Sequence, residues 1–299
     1  MIKVYHVKTP YTLKQHDVLL AELSDYMVKT YNAELAISLG EKIKINSEEA
    51  NVDIADCNLI IEYTDSNTFK GITFEDQPSC FMDFFKKRNN PNDICLVSQY
   101  NPLEVNNYNN QDQIKRSIYV TASPFVDLDY YYHKRQEIKE HIDKFYFRGN
   151  LHNMGRYSAI LLNENPYFHG GEGINPDLYF SDLINHKVGL SIPGIGEFCY
   201  RDIEYMAVGL PMMKFKYINE LYYPLIPNYH YISIDRIDDD MVHERNGGQK
   251  YVDAYINRFL EVKDDKDFLN FISKNAREYY ENHLHSSSRL NTIKKILDI

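Results

Sequence analysis

Short apolar runs alternate with longer amphipathic stretches along this chain, and the alternation runs through two cycles. Ile2 to Val7 alternates at the period of a strand, and Val18, Leu19, Leu23 and Met27 recur at the period of a helix within Leu13 to Tyr31. Asn58 to Tyr63 is an apolar run with a polar stop at Thr64 and Asp65, the pattern of a buried strand that delivers Asp65 to its C-terminal end. Ile94 to Tyr100 and Arg116 to Ser123 read as two further strands, and Tyr131 to Lys144 as a charged helix with a solvated face.

A second cycle opens at Lys144 to Asn150, a strand and turn, followed by a helix over Gly155 to Leu162. Asn163 to Asp177 reads as a Gly/Pro/Asn-rich loop. Then come a helix over Leu178 to His186, a strand over Val188 to Gly194, and a helix over Tyr200 to Val208 that Gly209 ends. Leu210 to Phe215 and His230 to Ile234 read as strands, Phe268 to His283 and Arg289 to Ile299 as helices. Strands alternating with helices predict α/β architecture with parallel, doubly wound sheets. The 299 residues suit two such domains, with a boundary near residue 140.

Composition narrows the function. A formal net charge of −10 argues against a broad nucleic-acid surface, yet leaves room for a local basic pocket. Cys57, Cys80, Cys95 and Cys199 are far apart and form no CxxC pair, so they read as reduced thiols without a zinc site. The first residues lack the basic and apolar regions of a signal peptide, and no apolar run of about 18 residues predicts a membrane span. The expectation is a cytoplasmic protein. The 26 tyrosines decide little, because an AT-rich genome would also supply them.

The segment richest in chemistry is Gly194 to Phe215, read as glycine turn, helix, glycine and strand. Gly194 and Gly196 permit close backbone approach to a ligand, and a helix N-terminus after them favours a phosphate. Arg201 in the first turn could clamp that anion bidentately. Glu204, three residues on along the same face, could accept from both ribose hydroxyls or pair with Arg201. The acidic run Asp235 to Asp240 has Asp-x-Asp spacing but reads as a solvated loop, and His169 and His230 stand apart from other metal ligands in sequence.

Glu204-x-x-Ala207-x-Gly209-x-Pro211 resembles the donor motif of GT-B glycosyltransferases, which have two Rossmann-like domains with a cleft between them. Phe147-Arg148-Gly149-Asn150, Arg156 eight residues after Arg148, Arg201 eight before Gly209, Asn219 to Ile234 and Asn275 to Leu284 are together similar to the capsule-associated, lipopolysaccharide-modifying and protein O-glucosyltransferase (CAP10-like) family. The likeness spans residues 144 to 284 and is thin before 140, where Asn58 to Asp65 resembles the family's strand ending in its catalytic aspartate. It implies an acceptor-side domain over 1–140, a donor-binding domain over 141–284 and a C-terminal helix over 285–299 crossing back to the first.

The activity implied is inverting, metal-independent transfer of xylose or glucose from a UDP-sugar to a hydroxyl of a glycan, free or linked to lipid or protein. No further cofactor is required. Arg148, Arg156 and Arg201 would then meet the charge that builds on the departing diphosphate, and Glu204 the ribose. Asp65 is the candidate base, with Asp127 and Glu197 as alternatives. Arg148 and Arg156 could instead form interface ion pairs, and Asp65 could cap the turn after its strand. An exostosin-like transferase shares the pattern around Arg201 and Glu204. A non-catalytic nucleotide-sugar binding module would keep the arginines and lack a working base. A dinucleotide oxidoreductase is disfavoured, since no G-x-G-x-x-G follows the first strand.

Overall fold

In a computed structural model, residues 126–151, 156–194, 197–238 and 248–297 are described, together with residues 3–8, 34–39, 42–45, 48–51, 59–62, 95–97, 100, 102, 111–116 and 118. Backbone contacts divide the chain into two compact units. The first comprises Met1–Thr121, Asn219–Pro224 and Ser286–Ile299, and the second Ala122–Ile218 and Leu225–His285.

The first unit is built on strands β1 (Lys3–Lys8), β2 (Glu34–Leu39), β3 (Lys42–Ile45), β4 (Glu48–Asn51), β5 (Leu59–Glu62), β6 (Cys95–Val97) and β7 (Ile114–Arg116). They form one sheet in the order β4-β3-β2-β1-β5-β6-β7. The five strands from β2 to β7 across this order run parallel, and β3 and β4 add an antiparallel extension at one edge. Of that extension the sequence shows only the brief alternation Lys42-Ile43-Lys44-Ile45, and Glu48 to Asn51 is too polar to read as a buried strand.

The second unit has a five-stranded parallel sheet of β8 (Ile142–Arg148), β9 (Phe168–Gly171), β10 (His186–Leu190), β11 (Met212–Phe215) and β12 (Ile232–Ile234), ordered β12-β11-β10-β8-β9. Among the described helices are α1 (Leu128–Gln136), α2 (Tyr157–Leu161), α3 (Pro176–Leu183), α4 (Tyr200–Ala207), α5 (Gln249–Val262) and α6 (Lys266–Tyr279). A π-turn over Tyr280–Leu284 follows α6, and α7 (Ser286–Leu297) returns to the first unit.

One face of the second sheet presents Phe145, Phe147, Val188, Leu190, Met213, Phe215, Ile232 and Ile234 to a buried core. Helix α5, unpredicted from sequence, closes that core with Tyr251, Val252, Tyr255 and Phe259. Those residues, with Val262, recur at the helical period, so the signal for α5 is present in the sequence.

Two expectations are corrected here. The stretch Asn163 to Asp177 holds strand β9, not only loop. Its glycines suggest a turn, yet Gly170 is glycine because a Cβ there would lie 1.8 Å from the Phe147 carbonyl oxygen. The charged helix ends at Gln136, and β8 already begins at Ile142.

Candidate functional site

Numbered from the start of its own sheet, each unit has parallel strands in the order 2-1-3-4-5. In such a sheet the chain leaves strand 1 in one direction and later crosses to its other side. The reversal opens a gap at the carboxyl ends of strands 1 and 3, where doubly wound proteins bind ligands. In the second unit those strands are β8 and β10.

Helix α4 closes the gap with two side chains one turn apart. Arg201 Nη2 donates to the Arg148 carbonyl at 2.7 Å. The Tyr205 hydroxyl lies 3.2 Å from the Tyr146 carbonyl and 3.1 Å from that of Leu190, so it spans both strands. This approach requires glycine at 189, where a Cβ would stand 2.6 Å from the Tyr205 ring. Gly209, with φ 69°, ends the helix in the left-handed conformation that favours glycine.

Three arginines gather there. Arg156 crosses the gap, its Nε donating to the Pro193 carbonyl at 3.1 Å and its Nη1 to Asn150 at 3.3 Å. Arg201 and Arg156 lie over the Phe147 ring at 4.3 and 5.6 Å from its centroid. Gly149 admits both guanidinium groups, since a Cβ would meet Arg201 Nη2 at 2.6 Å and Arg156 Nη1 at 3.0 Å. Arg148 leans the other way, with Nη1 donating to the Glu172 carbonyl at 3.3 Å and Nε 3.5 Å from Asp182 Oδ2.

Arg201 is only 7% exposed, yet its Nε and Nη1 have no hydrogen-bond partner. Burying unpaired guanidinium donors is costly, so such a group calls for an anion. Beside it Glu204 is equally buried and accepts from the Tyr179 hydroxyl at 3.2 Å. Burial holds the Glu204 carboxyl up at about 7 against the pull of Arg201.

The remaining sequence candidates are placed as follows. Gly194 lies in the loop after β10, and its N–H meets Cys199 Sγ at 3.1 Å. Asp127 caps helix α1, accepting from the Tyr130 N–H at 2.9 Å. Glu197 is 1% exposed and both its oxygens accept from the Ile218 N–H, at 2.9 and 3.0 Å, with Arg236 alongside at 3.4 Å. That carboxylate pins the turn after β11. Asp65 and Gly196 lie outside the described residues.

Sequence reading missed the buried pair that supports α4. Lys214 and Asp202 are each 1% exposed. Lys214 Nζ donates to the Glu197 carbonyl at 2.6 Å and stands 3.4 Å from Asp202, which also accepts from Ser191, Tyr217 and the Cys199 N–H. The available signal was a lysine inside the apolar run Pro211 to Phe215. His230 accepts locally from the Ile226 N–H at 2.8 Å. In the acidic run, Asp235 pairs with Lys216 and Asp238 with Lys250 and Tyr251.

No protein-family model and no curated protein sequence matches the chain. Solved structures do. A sucrose-phosphate synthase from Thermosynechococcus elongatus is similar over 100% of this chain and 98% of its own, at 9% identity and a TM-score of 0.61. Anabaena HepE in complex with UDP matches over 100% of both chains, at 9% identity and a TM-score of 0.54. WaaG, a glycosyltransferase involved in lipopolysaccharide biosynthesis, matches over 99% of both, at 9% identity and a TM-score of 0.53. At such identity the likeness establishes the fold: two Rossmann-like units in one chain, the GT-B fold. Among the described residues no helix is long and apolar enough to cross a membrane.

Proposed function

We propose that this chain is an inverting, metal-independent glycosyltransferase of the capsule-associated kind, moving xylose or glucose from a UDP-sugar to a hydroxyl of a glycan acceptor. The observation that carries the reading is Arg201, a buried guanidinium with two unpartnered nitrogens at the switch point of a doubly wound sheet. A diphosphate supplies the acceptor oxygens those nitrogens lack, and Arg156 adds a second positive charge beside it. Arg148, two residues beyond Tyr146 on the same strand, completes the set. The deprotonated Glu204 accepts from the ribose hydroxyls in place of Tyr179. A protein of the same fold in complex with UDP, Anabaena HepE, supports the choice of nucleotide.

The chemistry follows from the charges. When the sugar leaves, negative charge builds on the β-phosphate, and fixed guanidinium groups stabilise it without reorganising. Asp65, three residues past the end of β5 in the sequence, takes the acceptor hydroxyl's proton. The oxygen then attacks the anomeric carbon from the face opposite UDP, which inverts its configuration. Asp127 and Glu197 are committed to an N-cap and a buried turn, which favours Asp65 among the three carboxylates.

Calorimetric titration of UDP and a panel of UDP-sugars, in EDTA, tests the donor site. Micromolar UDP affinity that collapses in Arg201→Ala is expected, and the tightest sugar names the donor. Folded protein that binds no uridine, guanosine or thymidine nucleotide would overturn the reading. Donor binding with no transfer to any glycan acceptor would leave a nucleotide-sugar binding module.

A further inference from the structure

Two histidines and an aspartate meet on the second unit's sheet, at a place the diphosphate reading does not use. His169 on β9 and His186 at the start of β10 bring Nδ1 and Nε2 to 2.6 Å. Asp182 on α3 places Oδ1 3.9 Å from His169 Nδ1. One ligand atom from each of the three residues falls within 4.8 Å of the others. The residues lie on three consecutive elements, β9, α3 and β10, and the seating of β9 and β10 on either side of β8 brings the two rings together.

The rings are pre-oriented. His186 Nδ1 lies 2.9 Å from the Asp182 backbone carbonyl, which can only accept. Nδ1 therefore carries the proton and Nε2 presents a bare lone pair. The ring is fully buried and packs against Tyr146 at 4.7 Å between centroids. A carbonyl fixing the outer N–H of a histidine is the arrangement that orients metal-binding imidazoles.

We propose that His169 Nδ1, His186 Nε2 and a carboxylate oxygen of Asp182 bind one transition-metal ion of the zinc class, with water in the fourth position. Two imidazoles and one carboxylate suit Zn²⁺, Co²⁺ or Ni²⁺, whereas Mg²⁺ and Ca²⁺ require oxygen ligands. Tetrahedral zinc sets ligand–ligand edges of about 3.3 Å. The 2.6 Å gap must widen and the 3.9 Å gap close, each by roughly 0.6 Å. His169 and Asp182 are partly exposed and can make that adjustment while His186 stays fixed. Binding moves the His169 proton from Nδ1 to Nε2 without changing its charge. Arg148 is the competing cation, but it faces Oδ2, and a carboxylate can serve a partner on each oxygen. The ion would tie β9, α3 and β10 together.

The test uses the full chain, stripped of metal with EDTA and dialysed free of it, then titrated with Co²⁺ and followed by visible absorption. One equivalent should bind with the bands of four-coordinate cobalt, and Zn²⁺ should displace it. His169→Ala, on a partly exposed ring, should lower affinity by about 100-fold or more, beyond the usual loss from outer-shell changes. Circular dichroism establishes that the variant is folded. Should it not fold, Asp182→Asn decides by the same criterion. No uptake by the unaltered chain at micromolar metal would overturn the proposal and leave a hydrogen-bonded histidine pair only. Uptake unchanged in the folded variant would overturn it too, by placing the ion on other histidines.

Discussion

The two units share the 2-1-3-4-5 strand order but differ in the residues that the sequence sets after the strands beside the gap. In the second, the carboxyl ends of β8 and β10 are surrounded by Arg148, Arg156 and Arg201. In the first, the sequence after β5 reads Tyr63, Thr64 and Asp65, a carboxylate in place of arginines. Topology makes an opening in each, because the crossover direction must reverse after the first two strands. Residue type then decides what each opening can do. Guanidinium groups suit an anion, and the carboxylate after β5 in the sequence is the one proposed to take a proton. The first unit also carries the β3–β4 extension, for which the second has no counterpart among the described strands.

The sharpest way to break the comparison is at Asp65. Asp65→Asn should reduce transfer by about 10³-fold, the scale of a lost general base, with UDP affinity nearly unchanged. Radiolabelled sugar transfer and calorimetry read the two halves separately, and retained turnover would remove Asp65 from the base role. Next in size is Arg201→Ala, which should weaken UDP about 100-fold while a melt shows the fold intact. Equal loss from a lysine replacement would point to bidentate geometry, and not charge alone, as the contribution.

Gly189→Ala probes the closure of the second gap. Its Cβ would press on the Tyr205 ring, and the melt should fall by the equivalent of about 2 kcal/mol. An unchanged melting temperature would show that α4 can stand off without cost. The smallest effect concerns pH. Ribose hydroxyls need the ionised Glu204 carboxylate, and burial holds its folded pKa at about 7. UDP affinity should therefore rise roughly 10-fold from pH 6 to pH 8, and Glu204→Gln should flatten the profile. The linkage to folding has the opposite sense. A raised carboxyl pKa contributes stability that is present below the unfolded value and lost as pH rises through about 7. Glu204→Gln should remove that alkaline loss in a stability-against-pH series.

The doubly wound fold and the Arg201–Glu204 segment were legible in the chain itself. Apolar period and glycine position are local properties: Gly209 ends α4 where its sequence says it must, and Arg201 and Glu204 share a face because a helix turns every 3.6 residues. Polar or glycine-bearing strands were not legible, as β3, β4 and β9 show, because their stability comes from a neighbouring strand and not from their own side chains. Nor could sequence find the Lys214–Asp202 pair or the meeting of His169 with His186. Those contacts depend on sheet order, which sets β9 and β10 on either side of β8 and β11 next to β10. The chain determined which groups were available. Only tertiary structure decided which would be buried together, because burial removes the water that would otherwise satisfy each of them alone.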